Sequence, residues 1–431
     1  MLYTIVSKET KRRIVMKSKS IYSKDFILIA IGQLISIFGN QIVRYALPLY
    51  ILNETGSSTL FGTVLALSFV PMLLLLPIGG IIVDRVNKKN VMVVLDFLTS
   101  VLILFFILLQ GKYDVTVLVS STMMILFGIQ GVYGPAVKAS IPLIVNQDHI
   151  LKANSIIDLV DSSASMLGPV VGGLLFSTIG LKPILYISII AFLLSAIMEF
   201  FIYIPLNKIE ANGNIIQTGF NDLKESFIFI FREETMLWKL SMIYAFNNIL
   251  LNALILVGLP VLITQYLGFN INVANRLYGY SQGVLAFGAI MGGVLMGSLS
   301  HKIKPTFIPV FLTGSGLSAI LIGFALQYLK NAIPIYIIIL IGSGLLMILS
   351  TLFQIQIMSY LQVLTPKRLI GKVISGVMYI SMGTIPIGQF IYGVIFDKIE
   401  NNIYIPFYVA GLLIIGISIT TKSVFNKLEK I

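Results

Sequence analysis

Four acids stand within or at the margins of long apolar runs: Asp96, Asp158, Asp161 and Glu199. A carboxylate withdrawn from water favours its neutral form, so it can take up a proton near neutral pH and release it again when wetted. The chemistry on offer is therefore proton exchange. Asp158, Asp161 and Glu199 are the candidates for proton coupling. Pairing with Arg85, Lys88 or Lys89 at a gate is the preferred alternative for Asp96 and Glu199, and for Asp158 the two readings stand level. Covalent and metal chemistry are poorly served. The chain has no cysteine, and its two histidines, His149 and His301, lie far apart. Those counts argue against a zinc site or a histidine-based triad, and no cofactor is expected. No Gly-x4-Gly-Lys-Ser/Thr phosphate loop is present, which argues against an ATP-driven pump.

Neutral polar residues form two further sets. Gln33, Ser36, Asn40 and Arg44 recur at three- and four-residue intervals, one side of a helix. An arginine inside a membrane span costs at least ~2.5–3.5 kcal/mol, so Arg44 needs a wet cavity, an acidic partner or an outward reach to the headgroups. Tyr244, Asn248 and Asn252 stand four apart in a later run, and serve either as substrate contacts or as interhelical glue. Gln130 and Gln354 are weaker members of the same candidate substrate cavity.

The elements that must carry these residues are membrane helices. The 431 residues are 57% hydrophobic and 11% charged, less than half the roughly 25% charge of soluble domains. Twelve stretches are long enough to span a bilayer: 26–51, 59–83, 91–110, 115–137, 154–178, 183–205, 237–265, 277–299, 306–328, 333–360, 371–396 and 402–421. The longest polar interruption, 206–236, divides them six and six. The expected organisation is a basic tail at 1–25, a six-helix bundle at 26–205, a linker at 206–236, a second bundle at 237–421 and a tail at 422–431.

The net charge of +12 raises the question of nucleic acid, and its distribution answers it. Of the 30 Lys and Arg, five fall on one side of the spans (Lys112, Lys182, Arg276, Lys330, Lys398), Arg44 falls within a span, and the other 24 share the opposite side. By the positive-inside rule that side is cytoplasmic, with both termini there and anionic lipid headgroups as its neighbours. A multi-pass plasma-membrane protein, expected to be a monomer, is the reading.

Between the second and third spans the chain runs Gly79-Gly80-Ile81-Ile82-Val83-Asp84-Arg85-Val86-Asn87-Lys88-Lys89. The spacing Gly80-x3-Asp84-Arg85-x3-Lys89, with Lys88 and Asp96 nearby, resembles the signature turn of the major facilitator superfamily. Asn87 stands where that family usually has glycine, and asparagine also tolerates a left-handed turn. The resemblance implies an inner latch made by Gly80, Asp84, Arg85, Lys88, Lys89 and Asp96. In the fifth span Gly168-Pro169-x2-Gly172-Gly173 is similar to the antiporter motif of drug exporters, although Ala164 and Ser155 replace its upstream glycines. Tyr133-Gly134-Pro135-Ala136-x-Lys138, Tyr278-Gly279-x2-Gln282-Gly283 and Pro366-x4-Gly371-Lys372-Val373 resemble the macrolide-efflux branch of the drug:proton antiporters. That branch often has an acid in the first span where this chain has Asn40.

The halves also look like repeats. At an offset of 217, Gly80 falls on Gly297, Arg85 on Lys302 and Pro169 on Pro386, with Asp84 falling on His301. Together these features imply two pseudo-symmetric six-helix bundles around a midplane site, an all-helical integral membrane fold. The implied activity is proton-coupled export of a small amphipathic molecule. A siderophore or lysolipid carrier of the same superfamily is the nearer alternative. A membrane-embedded lipid enzyme is the more distant one, since the spans hold no histidine.

Overall fold

The computed structural model describes residues 23–205, 224, 227–233, 235–299, 304–366, 369–399 and 402–428. Among them there is no strand, and twelve helices are long and apolar enough to cross a membrane. They are α1 (Lys24–Thr55), α2 (Ser58–Arg85), α3 (Lys88–Leu109), α4 (Val115–Ile144), α5 (Ile150–Ile179) and α6 (Leu181–Phe200). The second half holds α7 (Met236–Tyr266), α8 (Ile271–Leu299), α9 (Ile308–Tyr328), α10 (Ala332–Leu364), α11 (Ile370–Lys398) and α12 (Ile405–Leu428). The basic tail before residue 23 and most of the expected linker lie outside the described residues, as do His301 and Lys302.

Helix boundaries follow ordinary capping chemistry. Ser23 and Ser57 accept backbone N–H groups at the starts of α1 and α2, and the Asp114 carboxylate takes those of Thr116 and Val117 at the start of α4. Gly56 ends α1 with φ 65°, the left-handed conformation that glycine enters without penalty. The turn after α2 is as tight as expected, but Asn87 does not act as a glycine substitute. Its φ is −66°, and its side chain accepts from Lys89 N at 3.0 Å, so it caps α3. Asparagine is used here for its oxygen, not for left-handed freedom.

Packing is a repeat at the level of whole helices. In the first half α1 packs on α5 and α6, α2 on α4, and α3 on α4 and α6. Six helices on, α7 packs on α11 and α12, α8 on α10, and α9 on α10 and α12. Two bundles result, joined along two seams, α5 with α8 and α2 with α11. The seams are themselves related six helices on, and both rest on glycine. Cβ atoms built on Gly173 and on Gly279 would sit 2.7 and 3.0 Å from the Cα of the other glycine. One built on Gly393 would sit 3.1 Å from the Cα of Gly62. Backbones approach this closely only where neither residue has a side chain, the usual means of joining helices in lipid. Gly62 and Gly279 are again 217 apart.

α7 departs from a plain helix. It contains Pro260 and widens into π-type turns at Asn248–Asn252 and Leu262–Tyr266. Such turns shift backbone bonding by one residue and re-aim the side chains they carry. Here they carry two of the three residues of the predicted polar set.

Candidate functional site

The seams close one end of the molecule, the end opposite the turn that carries Arg85, Lys88 and Lys89. Asp397, at the close of α11, reaches across to the start of α2. Its carboxylate accepts from Ser58 N at 2.6 Å, Thr59 N at 2.9 Å and Ser57 Oγ at 2.8 Å. The C-terminal half thus caps a helix of the N-terminal half. At the second seam Tyr45 OH donates to Asn275 O at 2.9 Å, and Asn53 Nδ2 donates to Asn275 Oδ1 at 3.0 Å. The rings of Tyr45 and Tyr278 stack at 5.0 Å. Sequence reasoning missed Asp397 and Asn275. The only local signal was the Ser57-Ser58-Thr59 run, a helix start with spare donors.

The α1 stripe faces the interior of its own bundle as well as its margin. Ser36 is buried and donates to Asp96 Oδ1 at 2.9 Å, and buried Gln33 donates to Asp161 Oδ1 at 3.4 Å. Asn40 is 9% exposed. Arg44 is half-buried, with its guanidinium 3.6 Å from the centre of the Phe127 ring on α4. That aromatic face takes the part of the acid or headgroup expected from sequence. Just beyond the stripe, Gln41 Nε2 donates to Ser165 Oγ on α5 at 2.8 Å, both at the exposed margin.

In the second half Asn248 donates to the Ser381 backbone and hydroxyl oxygens on α11 at 3.2 and 2.5 Å, and Asn252 donates to Asn248 Oδ1 at 2.5 Å. Asn248 is buried and works as glue, while Asn252 and Tyr244 keep accessible surface. Tyr244 stands edge-on to Phe353 of α10, at 6.3 Å. Gln130 and Gln354 are half-buried. The polar groups with access are therefore Gln41, Arg44, Gln130 and Asp161 from one half, and Tyr244, Asn252 and Gln354 from the other.

The structure describes the signature turn in part. Gly80 and Asp84 lie within α2, but the surroundings of both positions fall outside the described residues. Lys88 is buried and donates to Val83 O at 3.2 Å, and Lys89 lies over the Phe200 ring at 4.8 Å. Asp96 and Glu199 do not take these lysines as partners. Asp96 turns to Ser36, and Glu199 accepts from Tyr133 OH at 2.7 Å, in an interior where the two acids are 2% and 0% exposed. The reason is depth. Asp96 lies two turns into α3, beyond the lysine stems at its start. Asp158 instead pairs with Lys138 at 3.8 Å, with both side chains about two-thirds exposed. Gly168, Gly172 and Gly173 form the contact face of α5. Cβ atoms on the first two would meet Gln41 and Tyr45 of α1, and one on Gly173 would meet α8. Pro169 lies among them, with its carbonyl against Gly279.

Comparison with known proteins agrees with this architecture. The family profile of the Major Facilitator Superfamily matches residues 29–383. Macrolide efflux protein A of Streptococcus pyogenes is 24% identical over 96% of this chain and 99% of its own length. The enterobactin exporter EntS of Shigella boydii is 24% identical over 81% of this chain and 79% of its own. Among solved structures, a bacterial homologue of the iron transporter ferroportin in an inward-facing state superposes with TM-score 0.71 at 15% identity, covering 92% of this chain and 98% of that one. The nucleoside transporter NupG gives TM-score 0.72 at 12% identity, covering 94% and 99%. Twelve apolar helices in two repeated bundles, glycine seams and a profile spanning most of the sequence lead to one conclusion: the chain belongs to the Major Facilitator Superfamily, as a transporter and not an enzyme.

Proposed function

We propose that this transporter exports small hydrophobic or amphipathic compounds, macrolide-like among them, by alternating access coupled to proton entry. The observation that carries the reading is where the two halves are fastened to each other. The halves are fastened by glycine seams and by Asp397 at the end away from the Lys-rich turn. With that turn in the cytoplasm and the membrane being the plasma membrane, the closed end is the outer one. The carrier then stands ready to load from the cytoplasm or the inner leaflet. Gln41, Arg44, Tyr244 and Asn252 offer the few polar contacts that such a cavity uses to orient an apolar ligand. The full-length similarity to a macrolide efflux protein supports export.

Energetically the scheme is sufficient. One proton entering down ~100 mV supplies roughly 2.3 kcal/mol, enough for tens-fold accumulation without ATP. A siderophore carrier is a second reading, favoured by the enterobactin exporter among the relatives and by Arg44 as a half-buried base. Counterflow of a drug panel in proteoliposomes, with and without a pH gradient, tests the proposal. Export of macrolides or cationic dyes that rises with the gradient supports it, and transport indifferent to the gradient removes the coupling.

A further inference from the structure

The N-terminal bundle holds two buried carboxylates that have no ion-pair partner among the described residues. Asp96 of α3 and Glu199 of α6 are 2% and 0% exposed. Tyr133, which bonds Glu199, belongs to a buried apolar cluster with Phe26, Ile29, Val83, Met92, Ile202 and Ile204. The polar groups that face them from the packed helices are few. Ser36 comes from α1, Tyr133 from α4 and Ser195 from α6, and each acid faces the other. Lys88, the buried base at the start of α3, is held by the Val83 carbonyl of α2 at 3.2 Å. Neither acid is in an ion pair among the described residues.

Hydrogen-bond accounting then restricts their protonation. Ser36 Oγ donates to Asp96 Oδ1 at 2.9 Å, and Tyr133 OH donates to Glu199 Oε1 at 2.7 Å. The hydroxyl of Ser195 spends its hydrogen on Gly32 O at 3.0 Å. Toward Asp96, Tyr133 and Ser195 therefore offer only lone pairs. Asp96 Oδ2 and Glu199 Oε2 are left buried with no donor. Two unpaired carboxylates in such a site face a large desolvation cost, and a hydrogen on one of them relieves it. Asp96 Oδ1 already accepts from Ser36, so Oδ2 is the oxygen of that acid left to hold the hydrogen.

Building on the proton-coupled reading above, we propose that Asp96 and Glu199, with Tyr133 and Ser195 as their oxygen partners, form the proton-carrying pair of the transport cycle. In loading, a hydronium ion from the outer side gives up a proton, breaking one of its O–H bonds and leaving water, and an O–H bond forms on Asp96 Oδ2, so the pair keeps one negative charge. Unloading breaks that bond, and the proton passes to water on the cytoplasmic side. The link to substrate is Ser36, which holds Asp96 and lies on the same α1 face as Arg44. A ligand that moves α1 changes the donor to Asp96 and with it the hold on the proton. Asp158, in a solvent-exposed ion pair, has no such arrangement.

The test uses the full chain in proteoliposomes with erythromycin as probe. Asp96→Asn and Glu199→Gln are each measured for counterflow at equal pH and for accumulation driven by a pH gradient. The wild type shows both, and the neutral variants keep counterflow while losing the roughly tens-fold accumulation that one proton supplies. A wild type without gradient-driven accumulation overturns the coupled reading itself. A coupled wild type whose two variants stay coupled overturns only the assignment of the pair. Should a neutral variant also lose counterflow, Asp96→Glu and Glu199→Asp decide. Accumulation restored by an acid supports the pair, and accumulation not restored overturns it.

Discussion

At the residue scale, polar side chains in apolar helices act through the single partner each one finds. Arg44 lies on the Phe127 ring, a contact worth about 0.5–2 kcal/mol depending on its dryness. Phe127→Leu keeps the bulk and removes the ring face. It should lower the melting temperature in detergent and weaken binding of ligands that contact Arg44, as thermal unfolding with and without ligand would show. Asn248→Ala removes the tie to Ser381, at a cost of about 0.6 kcal/mol and at most ~1.7. Its unfolding midpoint should fall slightly while counterflow persists. Asp158→Asn breaks an exposed pair worth about 0–1 kcal/mol, so gradient-driven transport should stay close to wild type. A large loss there would return Asp158 to the coupling machinery. The sequence marked these residues as anomalies but could not name their partners. Ser36 and Asp96 are sixty positions apart, and spacing along α1 cannot reveal which helix lies opposite it.

At the element scale, two glycine seams and one borrowed cap hold the far end shut. Gly173→Leu places a side chain where the Cα of Gly279 now lies, a volume that backbone cannot vacate cheaply. The chain has no cysteine, so an added one is read without background. With Ser58→Cys as reporter, a membrane-impermeant maleimide should label Gly173→Leu faster than the parent, and export should fall. Unchanged labelling would mean the seam is not a gate. Asp397→Ala removes the cap on α2, about 1 kcal/mol, which moves a two-state equilibrium about fivefold toward opening. Asn275→Cys on the other seam should report that shift as faster labelling. Helix existence was legible from hydrophobic length, and helix ends were less so. α4 runs on to Ile144, past the predicted 137, because backbone bonding continues through Lys138 after the apolar run has ended. The cap by Asp397 was illegible, since it joins residues more than three hundred positions apart.

At the scale of the whole molecule, the repeat is the organising fact. Every main helix pairing of the first half returns six helices later, and both seams obey the same rule. An offset read from three residue matches anticipated this, because a duplicated bundle must preserve the positions where its helices touch. The polar residues are distributed otherwise. The first half buries two carboxylates around Tyr133, and the second buries the amide of Asn248 on Ser381. Under the proposed scheme the proton is handled in one bundle and the ligand is held between the two, so both must respond to the same rocking motion. The most direct measurement is uptake of erythromycin into inside-out proteoliposomes whose lumen is made acidic. The account predicts tens-fold accumulation at an electrochemical proton gradient equivalent to ~100 mV, abolished by a protonophore. Uptake that is the same with and without the gradient would contradict it.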